Sequence, residues 1–310
     1  MVVLVMLDIG SSSWPPEVSP VFACPVCGAP LRRADRLLRC VNAHSFDVAR
    51  EGYVNLLLAQ QKRSRDPGYS REMMRARQRF FDASYYKPLA DDLAELILDY
   101  LPRRELDRLV LDAGCGEGYY LRRLGEALAR SGEARVTRSG LDISKHGIRM
   151  AAKRDPDGVY VVAGIYRMPV LPSRVDVLLA HFSPVSAEDF RRVLRPGGVV
   201  LISGPGEEHL YGLKQLIYAQ PERPKPQDVL SDEPGFELAA EHAIRYPLAI
   251  RGEGRVAELL AMTPFYWSVS DETRNRISAL DQLDTEVDVV VGAYRRCHEQ
   301  SVIEPTAENA

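Results

Sequence analysis

Cysteine is scarce in this sequence, and the positions of the cysteines limit the chemistry that they can perform. The 310 residues contain five cysteines. Three of them fall within one short N-terminal segment, whereas Cys115 and Cys297 are isolated. Nothing marks the chain for export, and disulfide frameworks belong mainly to exported proteins, so disulfide bonds are disfavoured.

Long apolar runs are also missing. The opening residues, MVVLVMLDIG, are apolar but too short to span a membrane, and they lack the basic start and the cleavage site of a signal peptide. We therefore expect residues 1–20 to form a disordered extension and the protein to be cytoplasmic. With 45% hydrophobic and 27% charged residues, the composition is typical of a soluble globular protein, and the length suits one catalytic domain plus small appendages.

The net charge is small, but the charge is unevenly distributed. The formal net charge is −3. Residues 24–79 contain twelve Lys and Arg against five Asp and Glu, a local charge of +7, so the remainder carries −10. A basic N-terminal part suits phosphate groups and an acidic body suits a cationic cofactor, which points to a nucleic-acid partner.

The strongest motif is a CxxC-x12-CxxxH array, formed by Cys24, Cys27, Cys40 and His44. Four such ligands at this spacing can close a tetrahedral zinc site between two short hairpins. The segment is too short to bury enough apolar surface to fold alone, so metal binding must supply its folding free energy. Because the protein fills all four positions, we predict a structural zinc ion. Unrelated free thiols and a disulfide are the alternatives.

Residues 109–120, LVLDAGCGEGYY, predict a buried strand, a glycine turn and a helix. Glycines let the backbone bend sharply and let a ligand approach closely. The acid that precedes them, Asp112, suits a cationic amino-acid ammonium better than a pyrophosphate. The turn itself supplies the other candidate cofactor-binding residues, which are Gly114, Gly116, Glu117 and Gly118.

A second acid lies at the end of the next predicted strand. Asp142, in VTRSGLDIS, is placed to accept hydrogen bonds from both hydroxyls of a ribose. The alternative is that Asp142 caps the following helix, a role for which Ser144 competes. Asp112, the glycine turn, GLDIS, VDVLLAHFSP and VLRPGGVVLISGP follow one another in an order that resembles class I S-adenosylmethionine-dependent methyltransferases. A nicotinamide or flavin domain with a degenerate loop is the alternative.

The rhythm of the chain predicts an α/β fold with a Rossmann-like, parallel, doubly wound sheet. Five strand candidates alternate with helices, and ligands are expected at the carboxyl ends of the strands. Helices are predicted near 70–82, after a capping Ser70, and over 88–101. The expected parts are a disordered extension (1–20), a zinc knuckle (21–50), a basic helical connector (51–90), a methyltransferase domain (91–290) and a tail (291–310).

Arginines are concentrated in the predicted connector. We expect them to spread over the helix surface and to contact RNA, although a solvated helix face is the alternative. On this hypothesis, changing Arg75 and Arg77 to Glu abolishes RNA methylation and spares cofactor affinity. The arginines of this run are Arg63, Arg65, Arg71, Arg75, Arg77 and Arg79.

The zinc knuckle and the methyltransferase motifs together resemble the bacterial 23S rRNA (guanine-N1)-methyltransferases of the RlmA family. The resemblance runs from Cys24 to the late 260s. Its further marks are HSFDVAREGYVNLL, KRSRDPGYSREMMRARQRFFDASYYKPL, PGEEHLYGLKQLIY and MTPFYW. The resemblance implies methyl transfer from S-adenosylmethionine to N1 of a guanine in a 23S rRNA hairpin loop. It also implies cofactor contacts from Tyr86 and His209, a homodimer, and a role in resistance to a ribosome-targeting antibiotic.

The loop after the fourth strand is the expected place for the target base. There His181 is a candidate to accept the N1 proton and Phe182 to stack on a flipped guanine. Alignment of N1, the methyl carbon and sulfur supplies most of the remaining acceleration. Family members more often have an aromatic-Ala-Pro sequence here, so the Ser183 of FSP is a departure.

Two other functions fit the sequence. A small-molecule N-methyltransferase, acting on a natural product or purine-like compound, is compatible with the acidic body and the altered loop. A non-catalytic RNA-binding factor is disfavoured by the intact Asp112, glycine turn and Asp142. The retained arginines favour the rRNA methyltransferase.

Overall fold

The computed structural model describes residues 21–61, 70–104, 106–133, 135–224 and 229–298. Residues expected to form the extension (1–20) and most of the tail (299–310) lie outside this part, as do Arg63 and Arg65. The described chain begins with a three-stranded antiparallel sheet. Its strands are β1 (Arg32–Ala34), β2 (Leu37–Arg39) and β3 (Ser45–Asp47).

The zinc module packs directly against the larger domain. Phe22, Leu31 and Leu38 are buried in the same apolar cluster as Val170 of the larger domain. Backbone hydrogen bonds add to this contact, because Ala23 N–H donates to the Pro169 carbonyl at 3.0 Å and Leu171 N–H donates to the Val21 carbonyl at 2.9 Å. The module is therefore fixed to the loop around residues 168–171.

The larger domain is built on an eight-stranded sheet with the order β10-β11-β9-β8-β5-β6-β7-β4. The five predicted strands are confirmed, and they form its parallel centre. They are β5 (Arg108–Ala113), β6 (Val136–Asp142), β7 (Val159–Val162), β8 (Val175–His181) and β9 (Leu194–Pro205). The largely apolar runs LVLDA and VDVLLA explain why β5 and β8 are buried on both faces.

Three further strands extend the sheet. β4 (Val54–Asn55) pairs with β7 at one edge, so the predicted connector contributes to the catalytic sheet. At the other end β11 (Gln282–Arg296) lies antiparallel between β9 and β10 (Phe236–Arg251). Because Val291, Ala293 and Tyr294 are buried in this strand, the predicted start of a tail at residue 291 is too early.

Eight α-helices are described around the sheet. The predicted helices near 70–82 and 88–101 are α1 and α2, and the Ser70 hydroxyl accepts a hydrogen bond from Met73 N–H, as a helix cap does. No helix in the described ranges is both long and apolar enough to cross a membrane. The bounds are α1 (Arg71–Asp82), α2 (Lys87–Tyr100), α3 (Tyr119–Ser131), α4 (Lys145–Arg154), α5 (Ala187–Val193), α6 (Tyr211–Ile217), α7 (Arg255–Met262) and α8 (Asp271–Ser278).

Candidate zinc and cofactor sites

The four predicted zinc ligands converge. The ligand atoms of Cys24, Cys27, Cys40 and His44 all lie within 4.8 Å of one another. Cys27 Sγ is 3.8 Å from Cys40 Sγ, and His44 Nδ1 is 3.4 Å from Cys40 Sγ. A tetrahedral site with Zn–S bonds of about 2.3 Å places its sulfurs about 3.8 Å apart, so the donor set fits zinc.

Local backbone geometry prepares the thiols for a metal. Gly28, at φ 74°, closes the CPVCG turn with a hydrogen bond from its N–H to the Cys24 carbonyl. Backbone N–H donation from Ala29 is the main cause that lowers the pKa of Cys27 to about 6. A thiolate is the form that binds zinc, so this turn favours the ligand state.

The glycine turn after β5 has the close packing that its sequence predicts. Gly114 has φ 99°, and a Cβ at this position would lie 2.6 Å from Ser183 Cβ. Gly118 has φ 79°, and a Cβ there would lie 2.8 Å from Ala151 Cβ. Both positions therefore exclude side chains for two reasons, backbone conformation and space.

Asp142 shapes this turn from the end of β6. Its carboxylate accepts hydrogen bonds from Gly116 N–H at 3.0 Å and from Ser144 N–H at 2.7 Å. Ser144 is the N-cap of α4, where its hydroxyl accepts from Gly147 N–H. The capping role thus belongs to Ser144, and Asp142 faces the cavity beside the turn.

That cavity has a volume of about 430 Å³ and lies at the carboxyl ends of the parallel strands. Gly114, Gly116 and Asp142 line one side, and the loop that starts at His181 lines another. A second cavity of about 620 Å³ lies over β9 and β11. The two share Phe182 and Ser183, so this pair of residues stands between them.

Several buried polar groups around the glycine turn have no partner within the described residues. Both carboxylate oxygens of Asp112, Oε1 of Glu117 and both ring nitrogens of His181 are in this state. Burial, and next the charge of Asp142, raise the pKa of Asp112 to about 8. Unpaired buried acids are costly, and a bound cation removes that cost. The arrangement fits the ammonium and sulfonium charges of S-adenosylmethionine.

Arg77 lies in a different place from the one predicted. Its side chain is half-buried and lines the cofactor cavity, whereas Arg75 on the same helix is exposed. Arg79 is also exposed and pairs with Glu258 at 2.6 Å. Two residues along an α-helix turn a side chain through about 200°, so Arg75 and Arg77 lie on nearly opposite sides of α1. A shared RNA contact of this pair stays a prediction.

The two residues implied by the family resemblance lie near this region. Tyr86 is buried in an aromatic cluster, with its ring 5.3 Å from Phe80 and 5.8 Å from Phe81. His209 Nδ1 accepts a hydrogen bond from Asp288 N–H at 3.3 Å, and its ring lies 5.2 Å from that of Phe182. Burial lowers the pKa of His209 to about 4, so this side chain is neutral at pH 7.

The loop after β8 is strained. Phe182 has φ 49°, a conformation that non-glycine residues rarely adopt, and its backbone N–H donates to the Ser203 carbonyl. Its side chain is 41% exposed. The neighbouring His181 is buried, and burial holds its pKa well below the ordinary value. His181 is thus neutral but a weak base.

The fold and the cavity together define a class of protein: a class I S-adenosylmethionine-dependent methyltransferase that carries a zinc ribbon. Residues 22–65 match the family model of the RlmA N-terminal zinc ribbon, and residues 110–198 match that of a methyltransferase domain. Both matches agree with the sites built above and confirm the predicted fold class and zinc module.

Similar proteins match most of the chain. The 23S rRNA (guanine(748)-N(1))-methyltransferase of Streptomyces fradiae is 34% identical over 261 residues, which are 83% of this chain and 90% of that protein. A protein of Micromonospora griseorubida, named after the 23S rRNA (guanine-N1)-methyltransferases, is 35% identical over 86% of this chain and 94% of its own length. A Bacillus subtilis protein named in the same way is 32% identical over 88% and 96%. The chain belongs to the RlmA family, as its sequence motifs predict.

Proposed function

We propose that this protein transfers the methyl group of S-adenosylmethionine to N1 of a guanine in a 23S rRNA hairpin loop. The observation that carries this proposal is the docking of the zinc module on the 168–171 loop. The same loop, a few residues earlier, supplies Tyr166 to the mouth of the cofactor cavity. The basic N-terminal module therefore holds RNA beside the place where the methyl group is presented. The names of the relatives support the same substrate.

The cofactor is held by residues of the glycine turn and its neighbours. Asp112 pairs with the ammonium group, and Asp142 accepts the ribose hydroxyls with the oxygen lone pairs that the backbone leaves unused. Gly114 and Gly116 line the cavity and let the ligand lie against the backbone, and Gly118 lets the turn pack closely against α4. Glu117, Tyr86 and His209 complete the set that the sequence predicts. When bound, the cofactor supplies a methyl group activated by a sulfonium charge.

Exposed aromatic side chains line the entrance through which the target guanine reaches the cavity. Three of the four exposed aromatic residues in the described part of the chain line this cavity: Trp267 at 66%, Tyr166 at 63% and Phe182 at 41% exposure. Exposed aromatic rings are costly in water but stack well on unpaired bases, which hairpin loops provide. Phe182 stacks on the flipped guanine, and Tyr166 and Trp267 hold neighbouring bases.

The main role of His181 is to orient the guanine, not to accept its N1 proton. Methyl transfer forms the N1–carbon bond, breaks the carbon–sulfur bond and releases the N1 proton, which passes to solvent water. A protein base would take this proton best if its pKa lay near the working pH. The pKa of His181 lies well below that range because the ring is buried. The ring nitrogen that carries no hydrogen can still accept a hydrogen bond from N1–H, since neither nitrogen has a partner within the described residues. Alignment of N1 with the methyl carbon and sulfur then supplies most of the acceleration.

A small-molecule acceptor is the second candidate, and the cavity of about 620 Å³ favours it. That cavity touches Phe182 and contains Glu241 and Tyr294, so it has room and polar groups for a compound of nucleoside size. Label transfer from tritiated S-adenosylmethionine separates the two candidates. RNA methylation predicts label in a protein-free 23S rRNA transcript. Label only in a small-molecule fraction contradicts it.

The assembly and the biological role follow from the family. Two subunits would place two basic modules around one RNA, and a cytoplasmic location would bring the enzyme to ribosomal RNA. A methyl group on the pairing edge of a guanine in a drug-binding region is a means of resistance to ribosome-targeting antibiotics. Light scattering of the purified chain, with and without RNA, tests the dimer.

A further inference from the structure

We propose that Arg77 binds the carboxylate of the cofactor's methionine part, while Asp112 binds its ammonium. This inference rests on the cofactor site described above and adds a residue that lies outside the methyltransferase motifs. It makes α1, the helix that follows the zinc module in sequence, one wall of the cofactor site.

The first observation is the orientation of Arg77. Met73, Phe80 and Phe81 are buried and lie three or four residues from Arg77, about one helical turn, so they share its face. The guanidinium carbon lies 5.0 Å from the centre of the Phe81 ring, a cation–π distance. An arginine on the buried face of a helix carries a desolvation cost that a bound anion can offset.

The second observation is that the Arg77 guanidinium lacks polar partners within the described residues. Its Nε is buried and has no hydrogen-bond partner within the described residues, and Arg77 forms no ion pair within 4.0 Å in that part of the chain. Arg79, two residues later, does form such a pair with Glu258. The N–H groups of the Arg77 guanidinium are therefore available to a ligand in the cavity.

The third observation is the balance of charge around the cavity. Arg77 is the one Lys or Arg among the described residues that line it. Its charge acts on Asp112, Glu117 and Asp142, where it opposes the effect of burial on each carboxyl pKa. A methionine carboxylate would be repelled by these acids unless a cation faced it. The planar fork of arginine matches a carboxylate with two parallel hydrogen bonds.

The distance to the glycine turn is suitable for this role. A Cβ built on Gly116 would lie 3.9 Å from the Arg77 guanidinium carbon, so the guanidinium covers the turn without blocking it. Because Arg77, Gly114 and Gly116 line the same cavity, a ligand bound along the turn would lie beside the guanidinium. An opposite role is also conceivable, in which Arg77 substitutes for the cofactor's positive charge and moves away when the cofactor binds. The two roles predict opposite effects of removing the side chain.

Calorimetry with two ligands tests the inference. The ligands are S-adenosylhomocysteine and its decarboxylated analogue, which keeps the amine and lacks the carboxylate. For Arg77→Ala we expect the Kd of S-adenosylhomocysteine to rise by about tenfold to 100-fold, the effect of losing a charged hydrogen-bonded pair. The Kd of the decarboxylated analogue should change by less than about threefold, since it makes no such pair. Arg77→Lys should recover part of the affinity for S-adenosylhomocysteine.

Arg75→Ala is the matched control, because Arg75 lies on the same helix and is exposed. Its affinity for both ligands should equal that of the unmodified protein. Equal losses for both ligands in Arg77→Ala would overturn the inference in favour of a structural role. Unchanged or tighter binding would overturn it in favour of displacement. The ratio of the two Kd values within one variant does not depend on the fraction of protein that is folded. Binding by the unmodified protein tests the cofactor site separately, without RNA.

Discussion

The Ser183 hydroxyl donates a hydrogen bond to the Ala113 carbonyl at 2.7 Å. This bond joins the loop expected to present the target base to the end of the strand that carries Asp112. Ser183 also packs against Gly114, where a Cβ would meet it at 2.6 Å. The serine is the position at which this sequence departs from the alanine more common in the family. Its hydroxyl therefore adds a connection between the acceptor side and the cofactor side of the site.

Ser183→Ala tests the importance of that connection. Loss of one neutral hydrogen bond costs about 1 kcal/mol, and alanine restores the commoner family residue without leaving a cavity of any size. We expect a fall in kcat of less than about tenfold and an unchanged Kd for S-adenosylhomocysteine. Single-turnover methylation and calorimetry measure the two quantities. A complete loss of activity would show that the hydroxyl takes part in the reaction itself.

Cofactor affinity should depend on pH through Asp112. Its pKa is raised to about 8 in the ligand-free protein, and an ammonium group binds only the ionised form. At a pH below about 8, Asp112 must therefore lose a proton before the ligand can bind. The affinity for S-adenosylhomocysteine should rise with pH by up to about tenfold per pH unit and level off near pH 8. Calorimetry between about pH 6 and about pH 8 measures this slope.

Asp112→Asn is the control for the pH dependence. The amide has the same shape and does not titrate, so binding should be weaker and independent of pH over this range. If the unmodified protein bound equally well throughout, or better at low pH, Asp112 would not be the group that holds the ammonium.

Removal of zinc should separate RNA binding from cofactor binding. The module supplies all four candidate zinc ligands and contributes no residue to the described lining of the cofactor cavity. Chelation, or Cys27→Ser, should release one zinc ion per chain and lower RNA methylation by at least about tenfold, since structural zinc supplies folding free energy. The Kd for S-adenosylhomocysteine should stay within about threefold. Full RNA activity in zinc-free protein would refute the role of the module.

Trp267 should be a contact for RNA. Base stacking on an aromatic side chain contributes about 1–3 kcal/mol, so Trp267→Leu should raise the Kd for a hairpin-loop RNA by about fivefold to 100-fold. Tyr218→Leu serves as control, because Tyr218 is 40% exposed and does not line the cavity. Fluorescence anisotropy of a labelled hairpin measures both. Equal affinity of the Trp267 and Tyr218 variants would remove Trp267 from the interface.

The sequence predicts the centre of the fold well, for a physical reason. Strands β5, β7 and β8 are buried along their whole length and so read as largely apolar runs, and the glycine turn and Ser70 mark where helices begin. The zinc ligands are equally legible, because four of the needed side chains lie within 21 residues at a fixed spacing.

The parts that the sequence does not predict depend on distant contacts. β11 enters the sheet between β9 and β10, and nothing local indicates that pairing. The sequence indicates the position of Arg77 only in part. Its spacing of four residues from Met73 and Phe81 places it with the apolar face of α1, yet the density of arginines suggests a solvated or RNA-facing surface. Phe182 has a strained backbone that only the surrounding loop imposes.

Nucleoside analysis identifies the methylated atom of the RNA directly. A protein-free 23S rRNA transcript is incubated with the zinc-loaded protein and tritiated S-adenosylmethionine, digested to nucleosides and separated by chromatography. If N1 of guanine is the acceptor, the label co-elutes with 1-methylguanosine. Label in a different nucleoside, or none in RNA while S-adenosylhomocysteine still binds, would contradict it.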